Sequence, residues 1–312
     1  MSKPYELCPT WALRTWGFVA YDQIIWTGPR PRRENANSKL QPLITAHRKE
    51  ERQLYTGRLT TSAAKKLKNA IQLLVAIALE KEVPLLKKKG TFKFKLNFIT
   101  FTLPAPQGDL SDKDVKHLLD NWIKRARRKY NLGSYVWRAE VQANGNLHFH
   151  MITDAYIRWD HIRNDWNSIL STTTLLQKFH DKHGHWNPNS TDVHSIRKIK
   201  NLSAYFVKYM SKAHKDGERK IEGKLWDCSK NLKTKEKVTF EGELSRFREI
   251  WDSLPEDERV KKKSEHCAMI FIPESKFHHY LTNEEYERWK SYLARIRAAG
   301  YERDPHPVAR AA

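Results

Sequence analysis

The chain has 312 residues and 39% hydrophobic content, enough for one large domain or for one domain with substantial extensions. Lys and Arg number 57 against 36 Asp and Glu, a formal charge of +21, which makes nucleic acid the first partner to expect. A membrane is excluded as partner, since the longest strongly apolar stretch, Leu73 to Leu79, falls far short of the roughly 20 residues a spanning helix needs.

The N-terminus Met-Ser-Lys-Pro-Tyr-Glu has no hydrophobic signal region, and Cys8, Cys228 and Cys267 are odd in number and widely spaced. Both features suit a reducing, cytoplasmic compartment without a disulfide framework. Eleven Trp are a heavy load for so polar a chain, and those outside the core are candidates for stacking on single-stranded nucleic acid.

In chain order, residues 1–60 read as an irregular basic arm and 62–82 as a helix with Leu67, Ile71, Leu74 and Ala78 at helical spacing. A turn at Lys87–Gly90 leads to a strand over Phe92 to Leu103. Its apolar positions change from even to odd after Phe98, which predicts a bulge or a strand buried on both faces. Ser111-Asp-Lys-Asp114 is a capping box opening a helix to about Tyr130. Residues 134–142 and 147–154 form a hairpin, 158–170 a helix, and a polar loop runs through Pro188 to a strand near 191–199. A helix over Asn201 to Lys215 follows, then a helix at 242–253, a strand at Ala268 to Ile272, and a helix opened by Thr282-Asn-Glu-Glu285 and closed before Gly300. There is no repeat and no low-complexity tract. A phosphate-binding loop is absent too: five residues separate Gly217 from Gly223, and Leu225 stands where a magnesium-binding Ser or Thr is required.

The hairpin carries the chemistry. In its first strand Tyr135, Trp137, Ala139 and Val141 make an apolar row, with Arg138, Glu140 and Gln142 on the other face; in its second, Leu147, Phe149 and Met151 oppose His148 and His150. A two-residue turn at Asn144-Gly145 would bury polar side chains. A three-residue loop, Asn144 to Asn146, keeps the apolar rows together and sets Gln142 opposite His148 and Glu140 opposite His150. Two imidazoles and a carboxylate or amide on one face make a divalent-metal site for Mg2+ or Mn2+. A second pair, His183-Gly-His185, lies in a polar loop without an acidic partner and reads as solvated.

The helix over 201–215 places Tyr205 and Tyr209 one turn apart, with Lys208 and Lys212 in the same arc. A phenolate is a competent nucleophile toward a phosphodiester, and a neighbouring ammonium favours its ionisation and offsets phosphorane charge.

Three segments, in order, resemble the HUH replication initiators. Phe98-Ile-Thr-Phe-Thr-Leu-Pro104 resembles their first motif, Glu140-x-Gln-x-x-Gly145-x-x-His148-x-His150 their metal motif, and Tyr205-x-x-Lys208-Tyr209-x-x-Lys212 their third. The paired tyrosines are similar to the two-tyrosine members found in bacteriophages and Helitron-type transposons. The resemblance covers about residues 92–230. It implies an α+β fold: a ferredoxin-like central antiparallel sheet of about five strands with flanking helices. It also implies a domain over 86–235, between a basic N-terminal extension (1–85) and a mostly helical C-terminal one (236–312). It further implies a nickase and strand-transferase that starts rolling-circle replication through a 5′-phosphotyrosine link. Its metal ligands would be His148 and His150 with Glu140 or Gln142, Glu140 being favoured for its charge. Its partners would be single-stranded DNA at an origin, a separate or host helicase and a DNA polymerase. A relaxase or transposase of the same chemistry, and a non-catalytic nucleic-acid-binding module, are the competing expectations.

Overall fold

A computed structural model describes residues 5–28, 59–85, 89–108, 110–195, 219–234, 236–242 and 244–301. The strands are β1 (Tyr5–Arg14), β2 (Gly17–Trp26), β3 (Lys81–Pro84), β4 (Thr91–Phe94), β5 (Asn97–Phe101), β6 (Tyr135–Val141), β7 (Leu147–Thr153), β8 (Thr191–Ser195), β9 (Trp226–Cys228), β10 (Val238–Glu241), β11 (Lys261–Lys263) and β12 (Cys267–Phe271). The α-helices are α1 (Thr61–Ile77), α2 (Asp112–Tyr130), α3 (Trp159–Leu170), α4 (Thr174–His183), α5 (Ser245–Asp252) and α6 (Asn283–Tyr301). The fold class is α+β. No helix among the described residues is long and apolar enough to cross a membrane.

The chain divides into two compact units, Met1–Thr56 with Lys235–Tyr292 and Gly57–Thr234 with Leu293–Ala312. The first contains an antiparallel sheet in the order β10-β1-β2-β12-β11. The expectation of an irregular arm over residues 1–60 is therefore corrected for residues 5–26, which form a ten-pair hairpin. Its core side alternates Trp11 and Leu13 with Phe18 and Ala20, a short pattern that the surrounding Pro and Arg residues hide. Gly17 opens β2 at φ +142°, and a Cβ there would fall 1.8 Å from the Ile270 carbonyl oxygen, so no other residue fits between β2 and β12.

The second unit is built on a five-stranded antiparallel sheet in the order β8-β5-β7-β6-β9. Its odd-numbered face is the core: Ile99, Phe101, Phe149 and Met151 are all fully buried. Phe101 meets Trp122 of α2 at 4.7 Å and Trp166 of α3 at 5.1 Å, both edge-on. The Ser111 capping box that starts α2 is formed in both directions, and Asn131 ends that helix in the left-handed conformation. The change of phase after Phe98 has a different cause from the expected bulge. The chain leaves one strand at Phe94 and begins another at Asn97, β4 pairing with β3 and β5 with β7 and β8. Burial of β5 on both faces does hold, since Phe98 and Ile99 are both buried. One helix expected as loop is also present: α4 starts on Thr173, whose hydroxyl accepts from the Leu175 amide, and ends at Gly184 with φ +75°.

Candidate metal centre

The β6–β7 turn decides which side chains meet. Its loop is three residues, as expected, but it runs Ala143 to Gly145, and the Gln142 amide donates to the Asn146 carbonyl at 2.8 Å. A three-residue loop needs its left-handed residue last, and the glycine at φ +81° is Gly145. The expected loop, Asn144 to Asn146, would have put Asn146 in that position. The correction moves the register by two, so faces are kept and partners change. Glu140 lies opposite His148, and Arg138 opposite His150, while Gln142 faces Asn146 one row further from His150.

Glu140, His148 and His150 consequently converge. Glu140 Oε2 is 3.6 Å from His148 Nε2 and 3.4 Å from His150 Nε2, and one donor atom from each residue lies within 4.8 Å of the others. Among the described residues this is the one such group of three. Thr100 Oγ1 lies 3.1 Å from His150 Nδ1, which turns the other ring nitrogen toward Glu140. Phe98 stacks on the same imidazole at 5.3 Å. Burial pushes the Glu140 carboxyl up, but the two imidazoles and the Arg138 guanidinium outweigh it and hold the group well below the usual carboxylate range.

The donor set fits a divalent cation. Both ring nitrogens of His148 and Oε1 of Glu140 are buried with no hydrogen-bond partner among the described residues, which is costly unless something else satisfies them. Neighbouring donors around a magnesium-sized ion at about 2.1 Å lie about 3 Å apart, so the observed spacings need only a small closure.

A polar brace holds the turn. The Arg219 guanidinium donates to both oxygens of Asp112 at 2.8 and 2.9 Å, to the Gly145 carbonyl at 2.8 Å and to Gln107 Oε1 at 3.2 Å. That same Gln107 oxygen accepts from the Leu147 amide at 3.1 Å, next to His148, and the Gln107 amide donates to Asn146 Oδ1 at 2.8 Å. Sequence reasoning missed Thr100 and Arg219. Thr100 was visible as a polar residue inside an apolar strand; nothing in the sequence pairs Arg219 with Asp112.

Tyr205, Lys208, Tyr209 and Lys212 lie outside the described residues. His183 and His185 take no part in a metal group; His183 stacks on Phe179 at 4.5 Å and His185 meets it edge-on at 5.1 Å. That departs from simple solvated loop histidines, because α4 lines these rings up.

Residues 96–214 match the family model of the ORF2-type replication-associated proteins, a stretch that includes β5, the metal hairpin and both tyrosines. The match is consistent with a replication initiator. No curated protein and no solved structure matches the chain significantly.

Proposed function

We infer that the protein is a metal-dependent tyrosine endonuclease that nicks and rejoins single-stranded DNA to start replication. The observation that carries this is the convergence of Glu140, His148 and His150, with unsatisfied donor atoms, on one face of the matched sheet. Bound there, Mg2+ or Mn2+ would polarise a phosphodiester oxygen and offset charge in the transition state. His148, His150 and Glu140 would hold it, with Gln142 as the alternative oxygen donor one row away. The phenol oxygen of Tyr205 or Tyr209 forms the new bond to phosphorus as the P–O3′ bond breaks, and the phenolic proton ends on the released 3′-hydroxyl. The bond energy is kept in the 5′-phosphotyrosine, so rejoining needs no ATP. Lys208 and Lys212 favour the phenolate and offset phosphorane charge. A second tyrosine one helical turn away allows a second transfer while the first end is held. The match to a replication-associated family favours an initiator over a relaxase or a transposase. Its partners on this reading are origin single-stranded DNA, a separate helicase and a DNA polymerase.

The test is a labelled oligonucleotide from its own replicon incubated with Mn2+, with adducts mapped by peptide mass spectrometry. His148→Ala or His150→Ala should lower cleavage at least about a hundredfold while most DNA affinity remains, because affinity comes mainly from Lys and Arg on phosphates. Tyr205→Phe and Tyr209→Phe should each keep some cleavage and the double variant none. An adduct on neither tyrosine, or undiminished nicking by a His148/His150 double variant in chelator, would refute the reading.

A further inference from the structure

Most tryptophans whose burial is resolved serve the core: Trp11, Trp122, Trp137, Trp166 and Trp289 are each at most 5% exposed. Trp159 and Trp186 are different, at 55% and 51%. A ring of that area is rarely left in water without a use. Each is also held flat from one side. The Arg163 guanidinium lies over the Trp159 ring at 4.9 Å, and His180 stacks on Trp186 at 4.0 Å and 15°. Backed in this way, each ring has little rotamer freedom left to lose when something lands on its open face.

Both rings are tied to one end of the edge strand β8. Arg163 Nη2 donates to the Thr191 carbonyl at 3.5 Å, and Asn167, one turn further along α3, donates to the Pro188 carbonyl at 3.1 Å and to Asn187 Oδ1 at 3.3 Å, beside Trp186. From Trp159 to Asn167 the helix rises about 12 Å. β8 pairs with β5, which pairs with the His150 strand, so this edge lies about 10 Å from the metal hairpin across the sheet.

We propose that Trp159 and Trp186 form a two-platform stacking site for bases of single-stranded DNA at the β8 edge, separate from the metal centre. Charge selects this occupant. Asp160 is engaged by Arg158 at 2.6 Å, whereas the exposed Lys178 and Lys182 of α4 have no ion-pair partner among the described residues. Aromatic faces interleaved with free cations suit successive bases joined by phosphates. The site rests on the proposed function for its substrate class, and it would grip the strand next to the cleaved phosphate.

The experiment measures fluorescence anisotropy of a labelled oligodeoxythymidine, without metal, for wild type, Trp159→Ala, Trp186→Ala and both Phe variants. Each Ala variant should weaken binding about tenfold, with the salt slope unchanged, and each Phe variant should recover most of the loss. An oligonucleotide with abasic positions should bind wild type as weakly as it binds the Ala variants. Equal affinity of wild type and Ala variants for the intact oligonucleotide would overturn the proposal. So would an equal loss on the abasic strand, or a wild-type dimer in light scattering that the Ala variants lose with DNA affinity intact. Because no cleavage is read, a failure of nicking would leave this result standing, and a failure here would leave the metal reading untouched.

Discussion

The two faces of the sheet around β7 come from the same strands by the same alternation, yet they solve opposite problems. On the odd face Phe101, Phe149 and Met151 are fully buried against α2, α3 and one another, and every atom there is satisfied by packing. On the even face His148, His150 and Glu140 are only 15–20% exposed at the side chain, yet His148 has neither ring nitrogen bonded among the described residues. A face kept for stability alone would not retain such atoms. The contrast locates the chemistry: packing is complete where the strand serves the fold and left incomplete where it serves a ligand.

The sharpest way to break that contrast is to change neighbours on one strand. Phe149→Ala removes a fully buried ring that meets Trp137 at 5.8 Å, and should cost about 3–5 kcal/mol, read as a fall in the urea midpoint at unchanged slope. His148→Ala, one residue away, should change stability by less than about 1 kcal/mol, because the group it removes gains little in the fold. Equal losses from the two substitutions would mean that both faces are ordinary core.

Much of this face was legible in advance, and the limits are physical. Alternation within 135–141 and 147–153 assigns side chains to faces whatever the register, so Glu140, His148 and His150 were grouped correctly before any pairing was known. The register itself needed the conformational demand on Gly145, and the three-residue expectation was placed one residue late. The break between β4 and β5 was hidden because Phe92 to Leu103 is apolar throughout, and period alone does not mark where one sheet ends. The hairpin over 5–26 and its pairing with β10 and β12 join the two ends of the chain, a long-range contact that no local pattern announces. The same holds for the brace from Arg219 to Asp112.

That brace gives the second test. Asp112 is buried in the first turn of α2. Burial pushes its carboxyl up, but hydrogen bonds from Arg219, Gln107 and the Glu222 amide overcome this and lower it to about 2 from an ordinary 3.8. A depressed carboxyl contributes stability that is complete above its unfolded value and is lost as pH falls through its folded one. The contribution, about 2 kcal/mol, should therefore disappear between roughly pH 4 and pH 2. Arg219→Ala should lower stability at neutral pH by about 3 kcal/mol, since it leaves Asp112 buried beside fewer donors. Its acid limb should be flatter than that of the wild type. The comparison isolates Asp112, because Glu140 titrates in both proteins. Parallel acid limbs would show that the ion pair does not hold the turn.

The finest contrast lies within the even face itself, between a group that would bind the cation and one that only aims it. Thr100 reaches His150 Nδ1 at 3.1 Å and sits on β5, so it touches the ring from the side away from Glu140. Thr100→Val keeps the volume and the branched shape that β5 favours but removes the oxygen. Fold stability should stay within about 1 kcal/mol, while Mn2+ affinity falls about tenfold as the imidazole loses its fixed orientation. Thr100→Ser, which keeps the oxygen, should recover the affinity. Titration of Mn2+ by water-proton relaxation separates the two outcomes, because it reads the bound ion and not the cleaved product. Unchanged affinity in Thr100→Val would mean that packing against Phe98, and not the hydroxyl, orients His150. The loss would then be expected from Phe98→Ala.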